Sequence, residues 1–187
     1  MAEVFNNIFV RGLSGAVGDQ FVIRRTRSGK TIIANKPVFD KNRVFTEAQL
    51  EQQSAFKRAT AYAKANKRHP LYVERAKANN SIAYNMAIAD WFGVPEVLNV
   101  DATNLTGQAG QTMTIRAQDD TQVTRVRVVI RDDGNVLEQG EGVRSETDGL
   151  LWTYTTTIDH PAGPALQMDV NAYDLPGNSG AMSYPLN

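Results

Sequence analysis

The sequence predicts a chain in two parts: an α+β module of β-hairpin plus helices over residues 1–93, and an all-β sandwich over residues 94–187. Three observations carry this expectation. Apolar residues recur with helical spacing between residues 46 and 92 and with strict alternation after residue 110. The step Gly93-Val94-Pro95 separates the two regimes, and Gly-x-Pro stops a helix and opens a linker. The charge divides at the same place: residues 1–95 carry 15 Lys and Arg against 7 Asp and Glu, while residues 96–187 carry 5 against 13. A net charge of zero thus averages a surplus of +8 and a deficit of −8.

In the first part, "IFVRG" and "GDQFVIRRTR" are rich in β-branched and aromatic residues and flank glycines, which predicts strands. "KTIIANKPVF" predicts a further strand ending near Pro37, with Ser28-Gly29 as a two-residue hairpin tip. Thr46-x-x-Gln49 is a capping box, in which the Thr hydroxyl and the Gln amide satisfy orphan backbone donors. The helix it opens is expected to reach about Asn66 and to stop before His69-Pro70. Its apolar face is Ala55, Ala59, Tyr62 and Ala63, with Leu50 and Phe56 at the flanks. A second helical stretch begins near Pro70, a residue suited to the first helical turn, and Asn79-Asn80 is placed to break it in two.

The second part alternates clearly. "TRVRVVIR" sets Val126, Val128 and Ile130 on one face, "MTIRA" sets Met113, Ile115 and Ala117, and "LQMDVNAYD" sets Leu166, Met168, Val170 and Ala172. The turn clusters "DDGN", "TDG", "HPAGP" and "LPGN" fall between the runs. About seven strands over some ninety residues, with Trp152 as core tryptophan, predict an immunoglobulin-like β-sandwich without a bridging disulfide, since the chain has no cysteine.

Two resemblances accompany this reading. "IRAQDDTQVTRVRVVIRDDGNVLEQGEG", "WTYTTTI" and "VNAYDLPGNSG" resemble bacterial Ig-like domains over residues 96–187. That likeness implies a fold and no particular activity. Gly15, Gly18, Gly29, Lys30, Pro37, Thr46, Ala48, Gln49 and Phe56 resemble the pattern of a group of uncharacterised bacterial proteins, often from Bacteroidetes, which implies a unit over about residues 8–65 and no chemistry.

Most chemical motifs are excluded by their spacing. The absence of cysteine removes disulfides, thiolate metal sites and cysteine nucleophiles, and two histidines leave little for a histidine metal site. Ser28-Gly29-Lys30-Thr31 ends like a P-loop, but the position that needs the first glycine is Arg24, and Thr31-Ile32-Ile33 reads as strand where a helix is required. Gly12, Gly15 and Gly18 have the wrong spacing for a dinucleotide fingerprint. The acidic turns Asp119-Asp120, Asp132-Asp133 and Asp174 lack a calcium-loop pattern, so no metal is assigned. Asp159-His160 has no nucleophile motif beside it and reads as a turn, so no catalytic residue and no cofactor are expected.

What survives is charge. Arg24, Arg25, Arg27 and Lys30 on the hairpin, with Lys57, Lys64, Lys67 and Arg68 on the helix, form a basic surface. Asp119, Asp120, Asp132, Asp133 and Asp174 form an acidic one. The expectation is a non-enzymatic structural protein that self-assembles as a filament, tube or particle, the basic module of one copy meeting the acidic domain of the next. The alternatives are nucleic-acid association through the basic module, and an adhesion or carbohydrate-binding role using Tyr173 and Tyr184. No membrane span, classical signal peptide or small-molecule substrate is expected, which fits either the cytoplasm or assembly into an extracellular or phage-like particle.

Overall fold

The computed structural model describes residues 2–4, 12–26, 28–40, 42–160 and 166–186. These described residues form three helices and twelve strands in three antiparallel four-stranded sheets. The chain divides into two compact units, Met1–Gln49 and Leu50–Asn187. The helices expected in the N-terminal module therefore belong, almost entirely, to the same unit as the sandwich.

The first unit is a sheet of order β1-β4-β3-β2, with β1 Ala2–Val4, β2 Gly15–Val17, β3 Phe21–Arg25 and β4 Thr31–Asn35. Thr31–Asn35 is a strand, so no helix N-terminus faces Ser28-Gly29-Lys30-Thr31. The β3–β4 hairpin is wider than a two-residue tip: Arg25 pairs with Thr31, and Thr26 N–H donates to Lys30 carbonyl at 2.8 Å. The Thr26 hydroxyl accepts the Lys30 N–H at 3.0 Å, so a side chain supplies a bond that the shorter turn would have made with backbone. Gly29 takes φ 83°, the left-handed conformation such a loop places on glycine. Among the described residues of this unit only Ile23 and Thr31 are buried.

In the second unit, α1 (Glu47–Asn66) opens with the expected capping box, Gln49 N–H to Thr46 Oγ1 at 3.4 Å and Thr46 N–H to Gln49 Oε1 at 3.2 Å. Ala59 and Ala63 are fully buried, and their small side chains permit close approach to α2 (Pro70–Ala78) and α3 (Ala83–Phe92). Leu50 and Phe56, at the flanks of that face, are half exposed. Asn79-Asn80 does separate α2 from α3, with Asn80 at φ 47°. No described helix is long and apolar enough to cross a membrane.

Two sheets follow. One has the order β5-β6-β10-β9, from β5 Glu96–Asp101, β6 Thr112–Gln118, β9 Val143–Arg144 and β10 Leu151–Thr155. The other has the order β12-β11-β7-β8, from β7 Arg125–Asp132, β8 Asn135–Glu141, β11 Leu166–Tyr173 and β12 Ser179–Pro185. Their inward residues form one core: Val97, Met113, Ile115, Trp152 and Tyr154 from the first, and Val126, Val128, Ile130, Met168 and Val170 from the second. The period-2 alternation thus places its apolar faces between two sheets. A smaller cluster, Ala63, Tyr72 and Ala87 with Tyr62, Met86 and Leu175, joins the helices to the β11–β12 turn.

Candidate functional site

Three segments distant in sequence meet where the helices touch the sandwich. The last turn of α3 supplies Asp90, the β6–β7 connection supplies Asp119 and Asp120, and the β11–β12 turn supplies Asp174 and Asn178. Asp90, Asp119 and Asp120 each bring a carboxylate oxygen within 4.8 Å of the others. Gly93 makes room for this approach, since a Cβ there would lie 3.1 Å from Asp120 Oδ1.

Asp90 is fully buried. Its Oδ2 accepts a short hydrogen bond from the Tyr72 hydroxyl, which in turn lies 2.8 Å from the Tyr62 hydroxyl. With the Tyr72 proton committed to Asp90, Tyr62 is the donor in that pair. Burial pushes the Asp90 carboxyl above its ordinary value; Thr121 and Tyr72 oppose that shift, and the charges of Asp119 and Asp174 add to it. Burial also raises both tyrosines, and for Tyr72 the bond to Asp90 raises it further. Asp90 Oδ1 accepts no hydrogen bond of ordinary geometry, although Thr121 lies close enough to favour its charge. Asp119 repeats the pattern: Oδ2 accepts the N–H groups of Thr121 and Gln122, both at 3.0 Å, while its buried Oδ1 has no donor.

The expected acidic surface is not a single surface. Asp132 and Asp133 lie at the other end of β7, about 23 Å of strand from the Asp119-Asp120 end. Asp133 and Gly134, at φ 45° and 80°, make the two-residue β7–β8 turn, which needs positive φ at both positions. Asp174 is buried and is no surface group. Its Oδ1 accepts Gly177 N–H at 2.7 Å and Asn178 N–H at 2.6 Å, and its Oδ2 accepts Asn178 Nδ2 at 2.7 Å. Burial raises its carboxyl, although these bonds work the other way.

The basic residues stay on the surface. Arg24, Arg25 and Lys30 are exposed in the first unit, and Lys57, Lys64, Lys67 and Arg68 are exposed in the second. Arg27 lies outside the described residues. Because α1 ends at Asn66, Lys67 and Arg68 fall in the following turn and not on the helix as expected.

Asp159 and His160 turn away from each other. Asp159 Oδ1 accepts the Ala109 N–H at 2.8 Å. His160 is buried, with Nε2 2.8 Å from Glu138 Oε2, a close contact out of line for a hydrogen bond. The histidine read as a turn residue lies outside any strand, and its side chain is buried. Tyr173 and Tyr184 are half buried, Tyr173 beneath the Arg125 guanidinium at 4.1 Å and Tyr184 against the core.

Sequence reasoning missed Asp90, Tyr62, Tyr72 and Asn178 as members of one site. One local signal was present. An aspartate in the last turn of the otherwise apolar helix "AYNMAIADWF" opposes the helix dipole, which favours cations there, so it needs a tertiary reason.

No protein-family model matches this chain, and no curated protein matches it. Among solved structures, CopC from Methylosinus trichosporium OB3b is similar over 49% of this chain and 89% of its own, at 11% identity and a TM-score of 0.35. An engineered protein solved by the Northeast Structural Genomics Consortium is similar over 55% of this chain but only 26% of its own, at 16% identity and a TM-score of 0.32. At such scores neither likeness informs the fold or the function.

Proposed function

We propose that this is a non-enzymatic structural protein that self-assembles, the basic N-terminal region of one copy meeting the acidic sandwich of the next. The observation that carries this reading is the apolar surface of the first unit. Val38, Phe39 and Val44 are 93%, 77% and 90% exposed, and Leu13, Val17 and Phe21 on or beside the sheet are 41–52% exposed. Among its described residues this four-stranded sheet buries only Ile23 and Thr31, too little for a core of its own. Exposed apolar side chains in this number mark an interaction site. A second copy is the favoured partner because the chain carries both halves of a complementary charge pair, +8 over residues 1–95 and −8 over residues 96–187. The contact is head-to-tail, so it propagates as a filament or closes as a ring. Of the five acidic residues expected to meet a partner, Asp120 and Asp133 are exposed.

We also read the sandwich as Ig-like. The order β5-β6-β10-β9 matches the A-B-E-D sheet of that fold, and β12-β11-β7 matches G-F-C with β8 as an added strand.

Sedimentation velocity and negative-stain microscopy of the purified chain test the assembly. The expected result is growth with protein concentration, weakened by salt and by the double substitution Val38→Ser/Phe39→Ser. A strict monomer at high concentration and low salt overturns it. A salt-sensitive gel shift with nucleic acid at about 50 mM salt, without self-association, assigns the basic residues to phosphate instead.

A further inference from the structure

We infer that Asp90, Asp119 and Asp120 form a binding site for one calcium-type divalent cation where α3 meets the sandwich. The inference does not rest on self-assembly, although Asp120 figures in both readings.

The argument starts from how each carboxylate divides its oxygens. Asp90 commits Oδ2 to Tyr72, and Asp119 commits Oδ2 to two backbone N–H groups. In both residues the other oxygen, Oδ1, is buried without a hydrogen bond of ordinary geometry, Thr121 being near enough to Asp90 only to favour its charge. One oxygen fixes the side chain and the second is presented without a donor. Buried acceptors are nearly always satisfied, so two unsatisfied ones on neighbouring carboxylates need an explanation. None of the ion pairs among the described residues reaches Asp90, Asp119 or Asp120. The three negative groups, with Asp174 acting on Asp90 through its charge, thus lack a cationic side chain to balance them. A bound cation supplies the missing partner for both the charge and the two oxygens.

The donor set chooses the ion. The ligands are all oxygen, with no histidine or cysteine in the cluster, which selects a hard cation. Calcium holds oxygens at about 2.3–2.6 Å, so ligands on opposite sides stand up to about 5 Å apart. Three oxygens that all lie within 4.8 Å of one another fit around one calcium ion, while magnesium, at about 2.0–2.1 Å, tolerates a span of only about 4.2 Å. Asp120 is exposed and gives the ion an entry path and room for water ligands.

Calorimetric titration of calcium chloride into the chelator-treated full chain tests the site. The expected result is one saturable calcium per chain, bound more tightly than magnesium, with a rise in melting temperature. Asp120→Asn and Asp119→Asn are expected to weaken binding about tenfold or more, by removing ligand charge. Asp133→Asn, at the far end of β7, leaves binding unchanged. Terbium luminescence excited through Trp91, next to Asp90 in sequence, gives a second readout on the unmutated protein should a variant fail to fold. No saturable calcium binding up to millimolar concentration, or affinity unchanged in both Asp119→Asn and Asp120→Asn, overturns the proposal. The first of those outcomes leaves a proton shared among the carboxylates as the neutralising partner.

Discussion

Asn178 reaches back 85 residues to donate its side-chain amide to the carbonyl of Gly93 at 2.9 Å. The same amide nitrogen lies 3.3 Å from the carbonyl of Trp91 and 2.7 Å from Asp174 Oδ2. The carbonyls at the end of α3 have no helical partner of their own, so this amide serves as their cap. It also ties the helices to the β11–β12 turn.

Asn178→Ala is expected to destabilise the second unit by about 1–3 kcal/mol, because it strands part-buried acceptors. Asn178→Asp keeps the shape, removes the donors and sets a second carboxylate against Asp174, so it is expected to be at least as damaging at neutral pH. Urea denaturation followed by circular dichroism checks both. Wild-type midpoints in both variants remove the cap from the account.

Tyr72→Phe removes the one side-chain hydroxyl that donates to Asp90 Oδ2. The carboxylate stays buried with less support, and the expected cost is about 1–3 kcal/mol. Tyr62→Phe deletes only the outer member of the chain and is expected to cost less. Equal effects in the two variants contradict the assigned direction of the bonds.

Glu138 carries the clearest pH dependence. Burial raises its carboxyl, but the Thr157 hydroxyl, the Tyr154 hydroxyl, the Thr157 N–H and His160 together hold it below its ordinary value of 4.5. A depressed folded-state pKa means the unfolded chain binds the proton first. The stabilisation is therefore present above 4.5 and is lost as pH falls below that value through the folded one. The gap in denaturation midpoint between wild type and Glu138→Gln is expected to be wide at neutral pH and to narrow on acidification below 4.5. A gap that does not vary with pH refutes this.

Gly180 is fixed by space rather than by backbone angle. A Cβ there would sit 1.8 Å from the Pro95 carbonyl oxygen and 2.9 Å from its carbon, so β12 or the start of β5 has to move. Gly180→Ala is expected to cost about 3 kcal/mol or more. At Gly142 the nearest atoms stand 3.6–3.7 Å away, and Gly142→Ala is expected to be neutral or to stabilise by up to about 1 kcal/mol. Thermal unfolding of the pair reads the contrast, and similar melting temperatures count against it.

The features legible in the sequence are those set by near neighbours. Thr46 and Gln49 stand three residues apart, so their capping box shows in the sequence alone. Val126, Val128 and Ile130 declare their face because alternation is a property of one strand. Asp133-Gly134 declares its turn because both residues tolerate positive φ. Asp90 and Asp119 meet only after the helices and two sheets have packed, and no local pattern encodes that meeting. His160 misleads for a related reason: its turn is local, but the partner that draws it inside, Glu138, is on another strand. The hairpin at Thr26 and Lys30 departs from the expected tip because a threonine side chain competes for the backbone bond.

The Asn178 cap also sets an order of events during synthesis. The ribosome completes α1, α2 and α3 well before it reaches Leu175 and Asn178, the residues that seat them. At about 5–20 residues per second, 85 further residues take on the order of ten seconds. Throughout that interval the face carrying Tyr62, Tyr72 and Met86 has no turn to close over it, and the Asp90 end of α3 has no cap. A nascent chain halted just short of Asp174 is therefore the form most open to a chaperone or a protease, and the arrival of one asparagine ends that exposure.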